Sequence, residues 1–484
     1  TFKGLATGES ALNLVEATDV FAMAPEYGST NLVYADSLTD GIVKVFALPA
    51  LTSDNIAGPY VVGVQQEFQV TLDNPADGGD FAHVKVFLEA EGATLADIVK
   101  FEYLAYDASG NELGWMEWTL TPSEDGLRGA YGPAAGFPMP ARYNATSRFR
   151  VTFATAKTIP VTLTVVDVDT NTTLATLEAD EMDVREAPAF SSDDIAGPYF
   201  DGYTQPFNVT LTNPAGGLTF SKVRVEFRVK NASLTDIALI EYWETFEEDG
   251  QPTGWRNLPM TQDGVDLVGY YGPSAGFPLP APYNVTSQFQ VQFARDGEYE
   301  IEVSLIDRAE SDRVLTTFTT TAVVNPHFTV TGTISMQGRL DRSGVLVTLT
   351  GVDQHPFTYG PFESISTSLL SGNLSFAKMI MGNYTLTTAQ ERYLNVEEGI
   401  EVTISGTKTT LNPLELKGGN TNWNDNEINI DDASIVGSQY GTAGVTVGKA
   451  NGDANFSGKV DIFDLALVGG NYGLNGNVYN TWIP

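Results

Sequence analysis

The chain has no cysteine in its 484 residues, which excludes disulfide staples, thiolate nucleophiles and Cys-ligated metals. Histidine is nearly as scarce: His83, His327 and His355 are far apart and lack the His-X-X-X-His spacing of a zinc site. Basic residues are few, with Lys+Arg at 26 against Asp+Glu at 61, and the formal charge of -35 repels phosphate backbones and anionic lipid. Nucleic acid is therefore not an expected partner. No apolar run reaches bilayer-spanning length, and no serine elbow or phosphate loop appears. Carboxylates are abundant, yet nothing marks a facing pair for glycosidase chemistry. The first residue, Thr1, reads as the start of a mature or truncated product. Together these absences predict an exported, non-catalytic protein of several domains.

What is present is repetition. Ser53-Asp54-Asn55-Ile56-Ala57-Gly58-Pro59-Tyr60 returns as Ser192-Asp193-Asp194-Ile195-Ala196-Gly197-Pro198-Tyr199. FQVTLDNP from Phe68 returns as FNVTLTNP from Phe207, and YGPAAGFPMPARYNATS from Tyr131 returns as YGPSAGFPLPAPYNVTS from Tyr271. The spacing of these anchors defines two copies of one module, 50–187 and 188–323. Within them apolar residues alternate with polar ones, as in Phe68/Val70/Leu72, Phe149/Val151/Phe153 and Phe289/Val291/Phe293, the two-residue period of strands with one face in a core. Strands separated by Gly, Pro, Asn and Asp clusters predict tandem antiparallel β-sandwiches of immunoglobulin-like or jelly-roll type, so the fold class is mainly β. The Gly-Pro-X-Ala-Gly-Phe-Pro-X-Pro segment is expected to be a rigid loop, because its prolines lack ladder donors. Its aromatics Tyr131, Phe137 and Tyr143, matched by Tyr271, Phe277 and Tyr283, are expected to cover the end of each sandwich rather than bind a ligand. Trp115, Trp118 and Trp255 suit either core packing, the commoner fate, or a sugar-stacking platform. Alternation resumes in 324–417 at Phe328/Val330, Val345/Val347/Leu349 and Tyr384/Leu386, which predicts a third, smaller β module. That module resembles the carboxypeptidase-regulatory-like, immunoglobulin-like sandwiches.

Segment 418–484 changes character. From Asp453 to Asp464, oxygen-bearing side chains fall at loop positions 1, 3, 5, 9 and 12, with Gly458 at the sharp turn and Val460 two places later. A hard cation such as calcium needs six or more oxygens from a short curved segment, and this spacing supplies them. A second copy of the pattern, Asn420, Asn422, Asn424, Asp425, Asn429 and Asp432, is followed by DASIVGSQYG, which matches DLALVGGNYG after the first. These residues resemble a dockerin, the small α-helical module of duplicated calcium loops that plugs into a cohesin. The resemblance implies that Asp453, Asn455, Ser457, the Lys459 carbonyl, Asp461 (through a water) and Asp464 ligate one calcium firmly. Asn455 also lies in a glycosylation sequon, and a glycan there would block ligation; the ligand reading is preferred. The first loop starts with Asn420, is one residue longer and has Asn426 where glycine is usual, so a weaker site is expected there. The family's partner contacts at loop positions 10 and 11 fall on Ile430 and Asp431 in one half and on Ile462 and Phe463 in the other.

At the opposite end, within 1–49, the strand around Gly-Glu-Ser-Ala-Leu-Asn-Leu and the segment Asp40-Gly41-Ile42-Val43-Lys44-Val45 resemble the closing strands of a cohesin. A piece this short cannot bury a core alone, so either the rest of a cohesin precedes it or it completes a sheet in a neighbour. A cohesin-like start and a dockerin-like end imply head-to-tail contacts, which build open filaments when the rotation does not close. The expected function is thus an extracellular filament or lattice protomer whose partner is a cohesin-like domain of another copy or of a scaffold. The alternatives are a dockerin-bearing carbohydrate-binding or carbohydrate-active component and a surface adhesin. Sequons at Asn144, Asn171, Asn208, Asn231, Asn284, Asn373 and Asn383 are candidate glycan acceptors that suit such an exported protein.

Overall fold

The computed structural model describes residues 8–12, 41–107, 109–244, 254–352, 361–367, 369–406, 409–422, 425–443 and 451–484. Most of the amino-terminal segment, His355 and Asn424 therefore lie outside the described residues. Of that segment, Gly8–Leu12 pairs antiparallel with Gly41–Val45 as a two-stranded sheet.

Each repeat is a two-sheet sandwich with the same strand order. In the first, one sheet runs Ala50–Asp54, Gln66–Asp73, Asn144–Phe153, Ile98–Tyr106, Glu112–Glu117. The facing sheet runs Tyr60–Val61, Thr172–Arg185, Lys157–Asp167, Phe81–Glu91, Gly126–Tyr131, Leu120–Pro122. The second repeat reproduces this order from Ala189–Ser191 to Gly254–Asn257 and from Tyr199–Phe200 to Met260–Asp263. The alternation seen in the sequence decides the facing: Phe68, Val70 and Leu72 are buried between outward polar residues, and Phe68 lies opposite Phe149 as Phe207 lies opposite Phe289. Those rings stack with centroids 5.3 Å apart in both copies.

The proline-rich segment differs in one respect from a plain loop. Phe137–Met139 forms a short strand against Phe81–Glu91, with Phe137 opposite Val84, Met139 opposite Phe81 and a register shift between them. Pro138 sits at that irregularity, between the two paired residues, where a missing donor leaves no ladder bond broken. Behind it Asn74, fully buried, donates Nδ2 to the carbonyls of Gly79 and Pro140, each at 2.8 Å. Asn213 does the same for Leu218 and Pro280. A Cβ on Gly78 would lie 2.0 Å from Asn74 Oδ1, so glycine is required there. Tyr131 and Phe137 pack on the sandwich core, as do Tyr271, Phe277 and Tyr283 in the second copy. Trp118 is not a platform residue. It is 5 % exposed, packs on Phe101 and Phe149, and donates Nε1 to the Ala130 carbonyl at 3.1 Å.

Asp97 ties the short turn Leu95–Asp97 to the strand across from it. The Thr155 hydroxyl, 2.6 Å from Oδ1, is the main reason its carboxyl is held well below the usual carboxylate range; burial opposes it, and Thr94 and Lys157 add to it. Because the folded value is depressed, the resulting stability is complete above the unfolded value near pH 4 and fades as pH falls below it. Asp97→Asn is expected to flatten the fall in melting temperature between about pH 4 and pH 2; a variant whose melting curve tracks the parent at every pH would refute this role.

The modules are joined by one recurring element. Val61 and Val64 of the first sandwich are buried in the core cluster of the second. The equivalent turn of the second sandwich meets the third module through polar groups: Asp201 Oδ1 lies 2.6 Å from His327 Nδ1, and the Tyr203 hydroxyl donates to the Lys378 carbonyl.

The third module is a smaller sandwich. Asn373–Met379, Phe328–Met336 and Leu414–Leu416 form one sheet, and Phe362–Ile365, Leu346–Gly351, Gly382–Ala389 and Ile400–Ile404 form the other. Its core does not stop at residue 417. Val330, Leu386 and Leu416 belong to one buried cluster with Ile428, Val436, Val460, Val468 and Tyr479 of the tail. Arg392–Tyr393 also pairs with Gly418–Asn420 as a two-stranded sheet. Two helices, α1 (Ile430–Gln439) and α2 (Ile462–Gly470), pack on each other, and α2 packs on that sheet. Among the described residues no helix is long and apolar enough to cross a membrane.

Candidate metal centre and docking face

The tail holds two short loops, each running into a helix that starts in the same way. Asp461 caps α2 by accepting from Phe463 N at 2.9 Å, while Asp464 reaches back to accept from Asp461 N at 2.9 Å. Asn429 and Asp432 make the matching pair of bonds at α1, 2.8 Å and 2.9 Å. This reciprocal capping is why an acid or amide followed three residues later by an acid starts both helices.

Within the second loop the oxygens are turned inward. Asp453 accepts from Ser457 N and Gly458 N, both at 2.9 Å, which curls the chain back over its first residue. Gly458 has φ +84 and Phe456 φ +60, so the curl requires two left-handed residues. Asp464 Oδ1 accepts from Asn455 N at 3.1 Å across the loop. Asp453 and Asp464 are 4 % and 0 % exposed. Burial pushes the Asp464 carboxyl above its ordinary value, the two N–H donors pull it down, and the charges of Asp453 and Asp461 push it up again. Two buried acids thus share one small loop with the amide of Asn455, the hydroxyl of Ser457 and the carbonyl of Lys459. Among the described residues no group of three or more His, Cys, Asp and Glu side chains is gathered to hold a metal ion. A cation here would rely on neutral oxygens beside the two carboxylates, the donor chemistry that suits a hard ion such as calcium. The buried, mutually repelling Asp453 and Asp464 fit that ion.

The first loop brings together a less charged set. Asp432 accepts from Asn422 N at 2.9 Å and from the Thr421 hydroxyl at 3.2 Å, while Asp425 receives the side-chain amides of Asn422 and Asn429 at 3.4 Å and 3.0 Å. Asn420 is buried in the strand pair with Arg392. Asn426, in place of the usual glycine, has φ +48 and uses both ends of its amide on the backbone of Asn395, at 2.7 Å and 2.8 Å. It therefore fastens the loop to the third module.

Another fastening was not signalled by any motif. Arg392, 6 % exposed, donates Nη1 to the Asp453 carbonyl at 2.6 Å and lies 3.8 Å from Asp453 Oδ2. Its guanidinium also covers the Phe456 ring at 3.9 Å, and Arg339 lies over the same ring at 4.3 Å. The first-position acid of the second loop is thus addressed by a cation from the neighbouring β module.

The four residues read as partner contacts are all on the surface: Ile430, Ile462 and Phe463 are 62 %, 56 % and 68 % exposed, and Asp431 is exposed beside them. Tyr440 and Tyr472, just past the far ends of α1 and α2, are also exposed, and loop positions alone do not single them out. The seven sequon asparagines are likewise all exposed.

The chain matches no protein-family model and no curated protein. Among solved structures it is similar to a type II cohesin–X-dockerin complex from Acetivibrio cellulolyticus, a C-terminal interface mutant, with 19 % identity and a TM-score of 0.25 over 31 % of this chain and 99 % of that one. It is also similar to BcpA, the major pilin subunit of Bacillus cereus, with 10 % identity and a TM-score of 0.29 over 69 % of this chain and 99 % of that one. SpaD, the full-length major pilin of Corynebacterium diphtheriae, gives 10 % identity and a TM-score of 0.29 over 70 % of this chain and 91 % of that one. Likenesses this distant assign no function.

Proposed function

We propose that this is an extracellular, non-catalytic assembly protein, the protomer of a surface filament or lattice, whose carboxyl end is a calcium-dependent dockerin-like plug for a cohesin-like domain of a neighbouring copy. The observation that supports this reading best is the second loop: Asp453 and Asp464 are buried with carboxylate oxygens accepting from the loop's own N–H groups, and Ile462 and Phe463, just before Asp464, project apolar side chains into solvent. Calcium would neutralise those acids and fix the start of α2, holding the exposed pair in a docking geometry. Asp453, Asn455, Ser457, Lys459 through its carbonyl, Asp461 and Asp464 would hold the firm ion. The sparser charge of the first loop would hold a weaker one.

Purified protein is expected to form polymers in millimolar calcium and to disperse in EDTA, as seen by negative-stain microscopy. Phe463→Asp should weaken assembly by about 2 kcal/mol or more, the scale of an interface anchor. Monodisperse particles under both conditions would defeat the polymer.

A further inference from the structure

The outer faces of the two sandwiches differ along one row of side chains. In the second copy the register sets Asn208 opposite Gln288 and Trp243 opposite Trp255. Glu241 opposite Gln290 and Tyr242 opposite Phe289 bring Gln288 and Trp243 side by side, so the row reads Asn208, Gln288, Trp243, Trp255 across four strands. The same row in the first copy reads Gln69, Arg148, Leu104, Trp115. There Arg150 and Arg148 lie over the Trp115 ring, 4.4 Å and 5.6 Å from its centroid, and Leu104 is only 3 % exposed. In the second copy glutamines 288 and 290 stand in place of both arginines, and Trp243 stands in place of the leucine. Trp243 is 37 % exposed and meets Trp255 edge to face, with centroids 5.4 Å apart. The two guanidinium groups that lie over Trp115 in one sandwich are replaced by glutamines in the other, where an exposed Trp243 takes the place of a buried Leu104.

The row of the second copy also begins with an acceptor. Asn208-Val209-Thr210 is a glycosylation sequon, whereas the first copy has Gln69-Val70-Thr71 at that place. Asn208 is exposed on the same face; its Nδ2 donates one hydrogen to Asp194 at 3.2 Å, and the amide has a second.

We propose that Asn208 carries an N-linked glycan that lies across Gln288 and stacks on Trp243 and Trp255. Attachment joins Asn208 Nδ2 to the anomeric carbon of a glycosyl phosphate donor, the nitrogen losing one proton and the donor its phosphate-bearing group. Neighbouring strands are about 4.8 Å apart, so Trp243 lies roughly 10 Å from the acceptor, within reach of a short chain of pyranose rings. The C–H faces of those rings cover the indoles as the arginines do in the first copy, and their hydroxyls meet Gln288, Gln290 and Glu241. This inference stands apart from the calcium reading.

Peptide mass mapping of the full-length protein from its native source is expected to show a saccharide increment on the peptide containing Asn208. Asn208→Gln, the residue type that the first copy uses there, should lower the melting temperature by about 2–4 °C and increase acrylamide quenching of tryptophan fluorescence. In a Trp243→Ala background the same replacement should change neither. An unmodified Asn208 would overturn the proposal, and so would a glycan whose loss leaves melting and quenching unchanged.

Discussion

Asp464→Asn is expected to remove the calcium dependence of the melting temperature. The asparagine keeps the shape but has one acceptor oxygen where Asp464 uses Oδ1 for the Asn455 N–H and Oδ2 for the Asp461 N–H, so the loop gives up one of these two bonds together with the charge a divalent ion requires. Ligand that binds the folded state 100- to 1,000-fold above its dissociation constant adds about 3–4 kcal/mol to stability. That increment should be present in the parent in calcium, absent in EDTA and absent in the variant under both conditions. Because α1, α2 and the third module share one core, the loss should shift the unfolding of all of 324–484 while the two larger sandwiches keep their own transition. A variant that responds to calcium as the parent does would remove the second loop from the ligand set and, with it, the docking proposal.

The second large effect lies in the first sandwich. Phe149→Ala is expected to destabilise it by about 3–5 kcal/mol. Phe149 is 2 % exposed at the centre of a ring cluster, with Phe68, Trp118 and Tyr131 at 5.3, 5.1 and 5.4 Å, so its removal strips contacts from three neighbours at once. Urea unfolding should report a lowered midpoint for one transition with calcium dependence unaltered. A change below about 1 kcal/mol would mean that the cluster relaxes freely.

The strands were legible because burial on one face writes itself as alternation, and Phe68/Val70/Leu72 needs no tertiary knowledge to be placed. Repetition made the second sandwich readable from the first, since anchors such as FQVTLDNP and FNVTLTNP occupy the same strand in each. The fate of the tryptophans was not legible. Trp115 and Trp118 sit three residues apart in similar surroundings of polar and apolar residues, and their different fates depend on residues far away in the chain, Arg150 over Trp115 and Phe149 against Trp118. The short strand through Pro138 was hidden for a related reason: proline argues against a ladder, and only the pairing at an irregularity accommodates it. At the loops, the spacing of oxygens follows from sequence, because a curved chain imposes it. The part played by Arg392 and Asn426 does not, because each acts on a partner, Asp453 or Asn395, more than 30 positions away.

The continuous core between the third sandwich and the two helices has a mechanical meaning. A tether would let the helical tail swivel and would go slack before it transmitted tension, whereas Ile428, Val436, Val460 and Val468 are set among Val330, Leu386 and Leu416 in one core. Tension applied through Ile462 and Phe463 would pass straight into stacked sheets, and the turn at 201–203 would carry it on to the second sandwich.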